Sequence, residues 1–577
     1  MQALLRASDR FLTIAARSHA RAAALLLLFG LLAFTPGLFA MQPMDRDEPR
    51  FAQATKQMLE TGDFVDIRFQ GEARFKKPVG IYWLQAAVVS AAEKLGVPDA
   101  RHQIWLYRLP SLAGALFAVI LSYWAALVLA PRREAFAAAL LFGATILIGV
   151  EAHLAKTDAA MCATAVVAFG ILARLWTLRR TASITIGETF AFWIAIGVSF
   201  LLKGPVVGGL FALAAVALSL RERSAAWLRP VADWRAILLA LLIVAPWFAA
   251  ITLKSGSAFF SEAVGQDMLG KVAGGQEAHG APPGLYLLIM PATFWPVSAL
   301  FLAVIPYLWR NRSDDLVALC LAWIVPAWIM FELIPTKLPH YVLPLYPPMA
   351  FLVMKALSDG ADMSRGRWRA VALGLLPFIP ILFAGAAAAA VFVLEPGGAQ
   401  RFLPLIWAAP LFVLAIGLAF IGARAARRNA GLALAPILAL ATIALSWSVY
   451  QNAWPALRSI QLSPRLAEAA RAAGCADPRM ATVGGYNEPS LVFLTRTDLV
   501  MTNGVGGAAF MAGDGCRVAF VESREEKTFL DEMAQRSATP RLLTRVSGVN
   551  INRAFERDRR TLRVMDFGVY LRDTSRP

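Results

Sequence analysis

The chain has 577 residues, of which 58% are apolar and only 16% charged. An ordinary soluble protein carries roughly 25% charge, so a disordered chain or a coiled coil is excluded, and the deficit argues against a multidomain soluble enzyme. The formal charge of +17 does not point to nucleic acid. The arginines are scattered over many short loops and form no stripe, whereas membrane proteins collect cations on cytoplasmic loops.

A spanning helix needs about 20 largely apolar residues. In chain order such runs fall near 22–42, 104–130, 135–151, 158–174, 184–202, 205–220, 236–254, 284–308, 316–335, 341–358, 370–394, 402–423 and 430–450, about thirteen spans. The first run is about twenty residues long and leads into Met41-Gln42-Pro43-Met44. That is no small-residue cleavage site, so the run reads as a span and not as a cleaved signal peptide. Arginine marks every second loop: Arg6 to Arg21, Arg132/Arg133, Arg179/Arg180, Arg221 to Arg235, Arg310/Arg312, Arg365 to Arg369 and Arg424 to Arg428. The positive-inside rule assigns those loops to the cytoplasm. An odd number of spans then puts the C-terminal segment outside. The expected location is a bacterial inner (cytoplasmic) membrane, crossed many times, with the active site facing the periplasm.

The opposite loops hold nine of the eleven lysines and four of the five histidines. Cations gathered against the positive-inside rule call for a reason. Solvated loops and snorkelling helix ends are one; an anionic ligand at the outer face is the other. Five segments concentrate them. The first outer loop opens on Asp45-Arg46-Asp47-Glu48, continues as a surface helix through Arg50, and reaches Lys76-Lys77-Pro78 before Tyr82 and Trp83. Acids at a helix start are an ordinary N-terminal feature, and the aromatic pair suits an interfacial belt. Four charges at the exit of a span, however, are costly unless they line a polar cavity. The second segment sets Glu151, His153, Lys156 and Asp158 between two apolar runs. In the third, Lys203-Gly204-Pro205 breaks a long apolar run, which is tolerated where the backbone lines a cavity. The fourth is the loop 255–283 with Gly274-Gly275-Gln276-Glu277-Ala278-His279-Gly280, a candidate mobile cover with no phosphate-loop context. The fifth places Lys337, His340, Tyr341 and Tyr346 among prolines. Lysine and tyrosine donors there suit a phosphate whose lipid tail stays in the bilayer.

Beyond about residue 455 the composition is mixed. MATVGGY, SLVFLT, RVAFVE and TLRVMDFGVYL read as strands, and 464–474 and 523–536 as helices. Two units are expected: 1–455, a transmembrane domain with juxtamembrane helices at 43–100, and 456–577, a small periplasmic α/β domain. Cys475 and Cys516 fall in the second and can pair or stay apart. Cys162 and Cys320 lie in apolar runs and read as buried and inert.

The sequence RDEPRFA, then MLETGDF, KKPVGIYW, LLKGP, EAHGAPPGLYL and TKLPHYVLPLYP resembles the integral-membrane glycosyltransferases of the protein O-mannosyltransferase superfamily. The resemblance is to the branch of the bacterial 4-amino-4-deoxy-L-arabinose lipid A transferases. It implies an α-helical polytopic membrane protein of GT-C fold, about 13 transmembrane helices with a C-terminal periplasmic α/β domain. It also implies an inverting enzyme with a polyprenyl-phosphate-linked sugar donor. Asp47, Glu48 and Asp158 match its catalytic acids, and Arg50 and Lys77 the lipid-phosphate side, with Tyr82, Lys203, Lys337, His340, Tyr341 and Tyr346 around the same cavity. No cofactor is certain, and the resemblance admits a divalent metal. His153, His279 and His340 with nearby acids are candidate ligands, although no HxxxH spacing occurs.

The residues suit this reading on physical grounds. A departing phosphate needs cations and tyrosines, and a hydroxyl acceptor needs a base, for which Asp47 is the candidate. If the acceptor is itself a phosphate, Asp47 orients it instead. The acceptor reads as lipid A or lipopolysaccharide, with protein as the alternative. From another class, a lipid-linked sugar transporter would need ionisable residues at mid-bilayer or an internal repeat. Neither is found.

Overall fold

In the computed structural model, residues 1–44, 47–270, 280–551 and 564–574 are described. Asp45, Arg46, Lys271, His279 and the stretch 274–278 of the glycine-rich loop lie outside them.

The first half of the chain begins with α1 (Gln2–Ala15), α2 (His19–Phe34) and α3 (Asp47–Thr61). A two-stranded ribbon follows, β1 (Arg68–Phe69) and β2 (Glu72–Ala73), and then α4 (Gly80–Lys94). Helices α5 (Ile104–Ala126), α6 (Arg132–Gly143), α7 (Ile146–Ala152), α8 (Asp158–Leu178), α9 (Ile186–Lys203), α10 (Val206–Glu222) and α11 (Trp234–Ser255) come next. After the loop come α12 (Leu285–Thr293), α13 (Val297–Arg310), α14 (Asp315–Leu333), α15 (Tyr346–Ser358), α16 (Arg367–Leu394), α17 (Ala408–Arg427) and α18 (Leu434–Ser446). Among the described residues nine helices are long and apolar enough to cross a membrane. Two further pairs, α6 with α7 and α12 with α13, are bent by 64° and 119°. The remaining apolar runs of the sequence fall on α2 and α10, of 16 and 17 residues. Each run read from the sequence therefore lands on one helix or one bent pair.

Packing in the bundle depends on small residues. A Cβ added to Gly114 on α5 would come within 2.6 Å of the Ala160 backbone on α8. The two helices approach that closely only because glycine stands there, the usual device of helix contacts in lipid. The outward faces stay apolar: Leu238, Leu241 and Leu242 on α11 and Val413 and Leu414 on α17 are exposed. On helices of this length such a belt is the lipid-facing surface of a multi-pass membrane protein.

The C-terminal unit contains α19 (Leu462–Arg471), β3 (Arg479–Val483), α20 (Pro489–Leu494), β4 (Val500–Thr502), α21 (Gly504–Met511), β5 (Cys516–Glu522), α22 (Ser523–Gln535), β6 (Arg541–Val549) and β7 (Val564–Asp573). The strand order is β4-β3-β5-β7-β6. β3 runs parallel to β4 and β5, with Ala481 opposite Val500 and Ala519. β7 is antiparallel to β5 and β6. Alternation along β5 separates two apolar layers. Val518 and Phe520 pack with Leu466 and Leu491, and Ala519 and Val521 with Phe529 and Met533. Cys475 and Cys516 form a disulfide at the end of β5 where the strand begins.

This unit docks on α3 and the β1–β2 ribbon. The Lys56 ammonium donates to the Phe493 carbonyl at 3.0 Å, and Gln53 to the Thr497 hydroxyl at 2.7 Å. Thr497 in turn donates to Glu60 at 2.6 Å, and the Gln70 amide to the Thr497 and Leu499 carbonyls at 3.0 Å each.

Candidate active site

Helix α3 starts with two acids, which a helix N-terminus favours, but their surroundings differ sharply. Asp47 is 38% exposed and faces Arg50 at 3.8 Å. Glu48 is fully buried. Its carboxylate takes two hydrogen bonds from the Arg108 guanidinium, at 2.7 and 2.9 Å. It also accepts the Met44 N–H at 2.6 Å and the Ala155 N–H at 3.0 Å. Arg108 donates its remaining hydrogens to the Met41, Gln42 and Leu38 carbonyls at 2.7, 3.0 and 3.4 Å. The pair thus ties the entrance of the first loop to the loop ahead of α8. That second loop is also held by Ser111, whose hydroxyl donates to the Lys156 carbonyl at 2.9 Å, and by Gln85, which donates to the Ala155 carbonyl at 3.2 Å.

Those anchors present Asp158 as the first residue of α8. Lys203 ends α9, where a cation complements the helix dipole. Gly204, with φ +71°, and Pro205 stop the helix there. The two helix ends meet: the Lys203 ammonium donates to the Asp158 carboxylate. The Tyr341 ring lies 5.0 Å from the same ammonium. His340, in the turn Pro339–Leu345, sits between two acids, Nδ1 3.6 Å from Glu151 and Nε2 3.7 Å from Asp158. Lys156 lies 3.8 Å from Glu151, and Lys77 stands within electrostatic range of His340. Glu151, Lys156, Asp158 and His340 are all buried. Among the described residues, three lysines, a histidine and two carboxylates thus gather at one place.

Tyr82 on α4 joins α3 to this region. Its ring stacks on Phe51 at 5.3 Å, and both Asp47 and Arg74 act on its phenol electrostatically. Burial pushes the phenol pKa up, so it stays a neutral donor. Among the described residues the Tyr82 hydroxyl and the Arg74 Nε are both buried and meet no acceptor, and the Arg74 side chain stands within hydrogen-bonding range of that hydroxyl. Donors of this kind suit an anion, because an unmet buried polar group costs about 1–3 kcal/mol.

Asp158, Lys203, His340 and Tyr341 thus come together, with Lys77 close by, and Asp47, Arg50 and Tyr82 stand on α3 and α4. Two other candidates point elsewhere. Lys337 is buried and donates to the Ala281 and Ile334 carbonyls at 3.1 and 2.6 Å. Tyr346 is buried in the bundle core, with its hydroxyl 2.6 Å from that of Thr293 and its ring against Phe294. Arg74 and Arg108 are absent from the residues singled out in the sequence. Arg108 carried a readable signal, an arginine inside an apolar run, which needs a partner.

Glu151, Asp158 and His340 offer ligand atoms within 4.8 Å of one another. Lys203 takes one Asp158 oxygen and Lys156 stands 3.8 Å from one Glu151 oxygen, while the other Glu151 oxygen is buried and takes no hydrogen bond among the described residues. The ring nitrogens of His153 face the Gly149 and Pro36 carbonyls at 2.6 and 2.8 Å, away from this group.

No family model matches the chain. It is 28% identical over 351 residues to the undecaprenyl phosphate-alpha-4-amino-4-deoxy-L-arabinose arabinosyl transferase of Pseudomonas paraeruginosa, covering 57% of this chain and 59% of that protein. To the protein of the same name from Pseudomonas aeruginosa it is 29% identical over 349 residues, covering 57% and 58%. The chain thus spans about three-fifths of the length of the curated relatives it matches. The crystal structure of ArnT from Cupriavidus metallidurans bound to undecaprenyl phosphate superposes with a TM-score of 0.70 at 17% identity, over 95% of this chain and 97% of that one. The chain has the GT-C fold, in the form seen in that ArnT structure.

Proposed function

We propose that this protein is an inverting glycosyltransferase of the bacterial inner membrane, with its site on the periplasmic side. In this reading it moves a sugar, aminoarabinose foremost, from a polyprenyl-phosphate donor to lipid A or lipopolysaccharide. The observation that carries the proposal is the buried cluster of lysines, acids and His340 around Asp158 and Lys203, next to the helix that begins with Asp47. A polyprenyl phosphate brings a charged head group on an apolar tail. The cluster supplies the cations, and the lipid-facing helices around it suit the tail. Every second loop is arginine-rich, which supports the orientation, and the names of the two Pseudomonas relatives supply the donor and the sugar.

Lys77, Arg74 and the Tyr82 hydroxyl are the groups to hold the donor phosphate and stabilise its negative charge as the glycosidic bond breaks. Lys203 holds Asp158 by an ion pair, and Asp158 holds His340 in place. Asp47, partly open on α3, is the base for a hydroxyl acceptor or the orienting group for a phosphate acceptor. Glu48, with four donors on its carboxylate, acts as a positioning residue.

The test is mass spectrometry of lipid A and core from a deletion strain, complemented with wild type or Asp47→Asn. The expected result is an added-sugar mass that is lost on deletion, restored by wild type and not restored by Asp47→Asn. Intact lipid A and core masses in the deletion strain, with a sugar missing from periplasmic glycoproteins instead, would move the acceptor to protein.

A further inference from the structure

Helix α1 lies at the end of the bundle away from the Asp158 cluster. It is amphipathic: Leu4, Phe11, Leu12 and Ala15 turn inward, and Arg6, Asp9, Arg10 and Thr13 face out. Such a helix lies in the membrane surface and does not cross it. Its contacts agree. Asp9 pairs with Arg133 in the first turn of α6, and the Phe11 ring meets that of Phe136 at 5.8 Å. It also touches the turn Gly431–Ala433 that opens α18. Helix α1 therefore lies across the starts of α2, α6 and α18. Asp158 opens α8, one bent span (α6 with α7) further along the chain, and so stands at the other face.

Beneath α1 is a cavity of about 310 Å³. Helix α1 supplies Ala7 and Phe11 to it, α2 supplies Leu28 and Leu32, and α18 supplies Ala439 and Leu440. Apart from Ser8, every lining residue is apolar, so water finds almost no hydrogen-bond partner there. Leu28, Leu32 and Leu440 are also exposed. The space thus opens sideways into the bilayer, continuous with the lipid-facing belt, and hydrocarbon is the occupant that can both reach it and pack in it.

Charge decides which lipid. Helices α1, α2, α6 and α18 together carry Arg6, Arg10, Arg21, Arg132 and Arg133 against two acids, Asp9 and Glu134. Asp9 is taken by Arg133, whose own Nε is buried and meets no acceptor among the described residues. Arg21 shares one stripe of α2 with Leu25, Leu28 and Leu32, which sets its guanidinium at the outer end of the cavity. Among the described residues the Arg10 and Arg21 side chains make no hydrogen bond or ion pair.

We propose that this cavity takes one acyl chain of an anionic phospholipid, with the lipid phosphate on Arg21 and α1 closed over the chain. Basic pockets at the ends of membrane helices select such head groups. The volume lies at the lower end of the usual range for small-molecule sites, about 300–1,000 Å³, and so suits one chain. This assignment does not depend on the transfer reading.

The test uses the full chain in phosphatidylcholine nanodiscs with a trace of phosphatidylglycerol or phosphatidylcholine that carries a diazirine on one chain. Irradiation is followed by mass-spectrometric mapping of the adducts. Expected are adducts concentrated on the cavity faces of α1, α2 and α18. They should be about fivefold more abundant with phosphatidylglycerol, the weight of one arginine against an anionic head group. Arg21→Ala should remove that preference. Ala7→Trp, at an exposed position, should fill the cavity and lower labelling there by both lipids, while Leu238 and Leu241 on α11 stay labelled. Equal labelling of the cavity by the two lipids, adducts no denser there than at Leu238 and Leu241, or labelling undiminished in Ala7→Trp would each overturn the proposal.

Discussion

Glu48 and Arg108 form a two-point ion pair with no exposure on either side chain. It ties the start of α3 to the turn ahead of α8, where the Ala155 N–H reaches the same carboxylate. Breaking a buried pair from one side leaves a charge without a partner, at about 3–5 kcal/mol. Arg108→Ala should therefore lower the melting temperature in detergent and abolish transfer. The double variant Glu48→Gln/Arg108→Met should recover most of the stability and little of the transfer. Equal recovery of both would show that the pair is only a structural element.

Asp158 and Lys203 should behave as one unit in catalysis. Removing one preorganised charge-stabilising group typically costs about 10²–10³ in rate. Asp158→Asn and Lys203→Met should each fall by about that factor in a transfer assay with a polyprenyl-phosphate-linked sugar donor. The double variant should be no worse than either single one, because the two changes remove the same interaction. Multiplicative losses would separate their roles.

Lys56 makes the docking of the C-terminal unit sensitive to pH. Burial holds its pKa down, from 10.5 to about 8. Between those values the unfolded chain binds the proton and the folded chain does not, so stability rises with pH. Below about pH 8 both states are protonated, and folding bears the full cost of burying the ammonium. The gain on crossing the window is up to about 3 kcal/mol. Melting curves from pH 7.5 to 10 should show a steeper rise for wild type than for Lys56→Met. Parallel curves would remove Lys56 as the source.

The Cys475–Cys516 bridge spans 41 residues, and closing a loop of that length stabilises by about 4 kcal/mol on the chain-entropy account. Cys475→Ser/Cys516→Ser should lower the unfolding temperature of the C-terminal unit. Reductant should lower wild type to the same value and leave the variant unmoved. Thermal melts with and without reductant check both statements.

Span positions were readable because length and apolarity alone define them. The site was readable as interruptions of apolar runs, but its pairings were not. Lys203 has no acid near it in sequence and finds Asp158 45 residues away, because α8 and α9 bring opposite helix ends together. Lys337 and Tyr346 share a segment with His340 and Tyr341, yet one turns to backbone carbonyls and the other into the core. Composition cannot tell which side of a short turn each residue will take. Asp47 and Glu48 are neighbours of one charge, and only the fold separates an open carboxylate from one closed by Arg108.

Helix α3 carries Asp47 at its first turn and Lys56 and Glu60 near its last. Its 15 residues make a rod of about 22 Å. The acid of the site and the joint with the C-terminal unit therefore belong to one rigid piece. The two halves of this protein are not interchangeable modules. A chimera cut after the last membrane helix would set a foreign partner against α3 and so displace the catalytic end. A cut that transfers α3 and the β1–β2 ribbon together with residues 462–574 would carry its own joint intact.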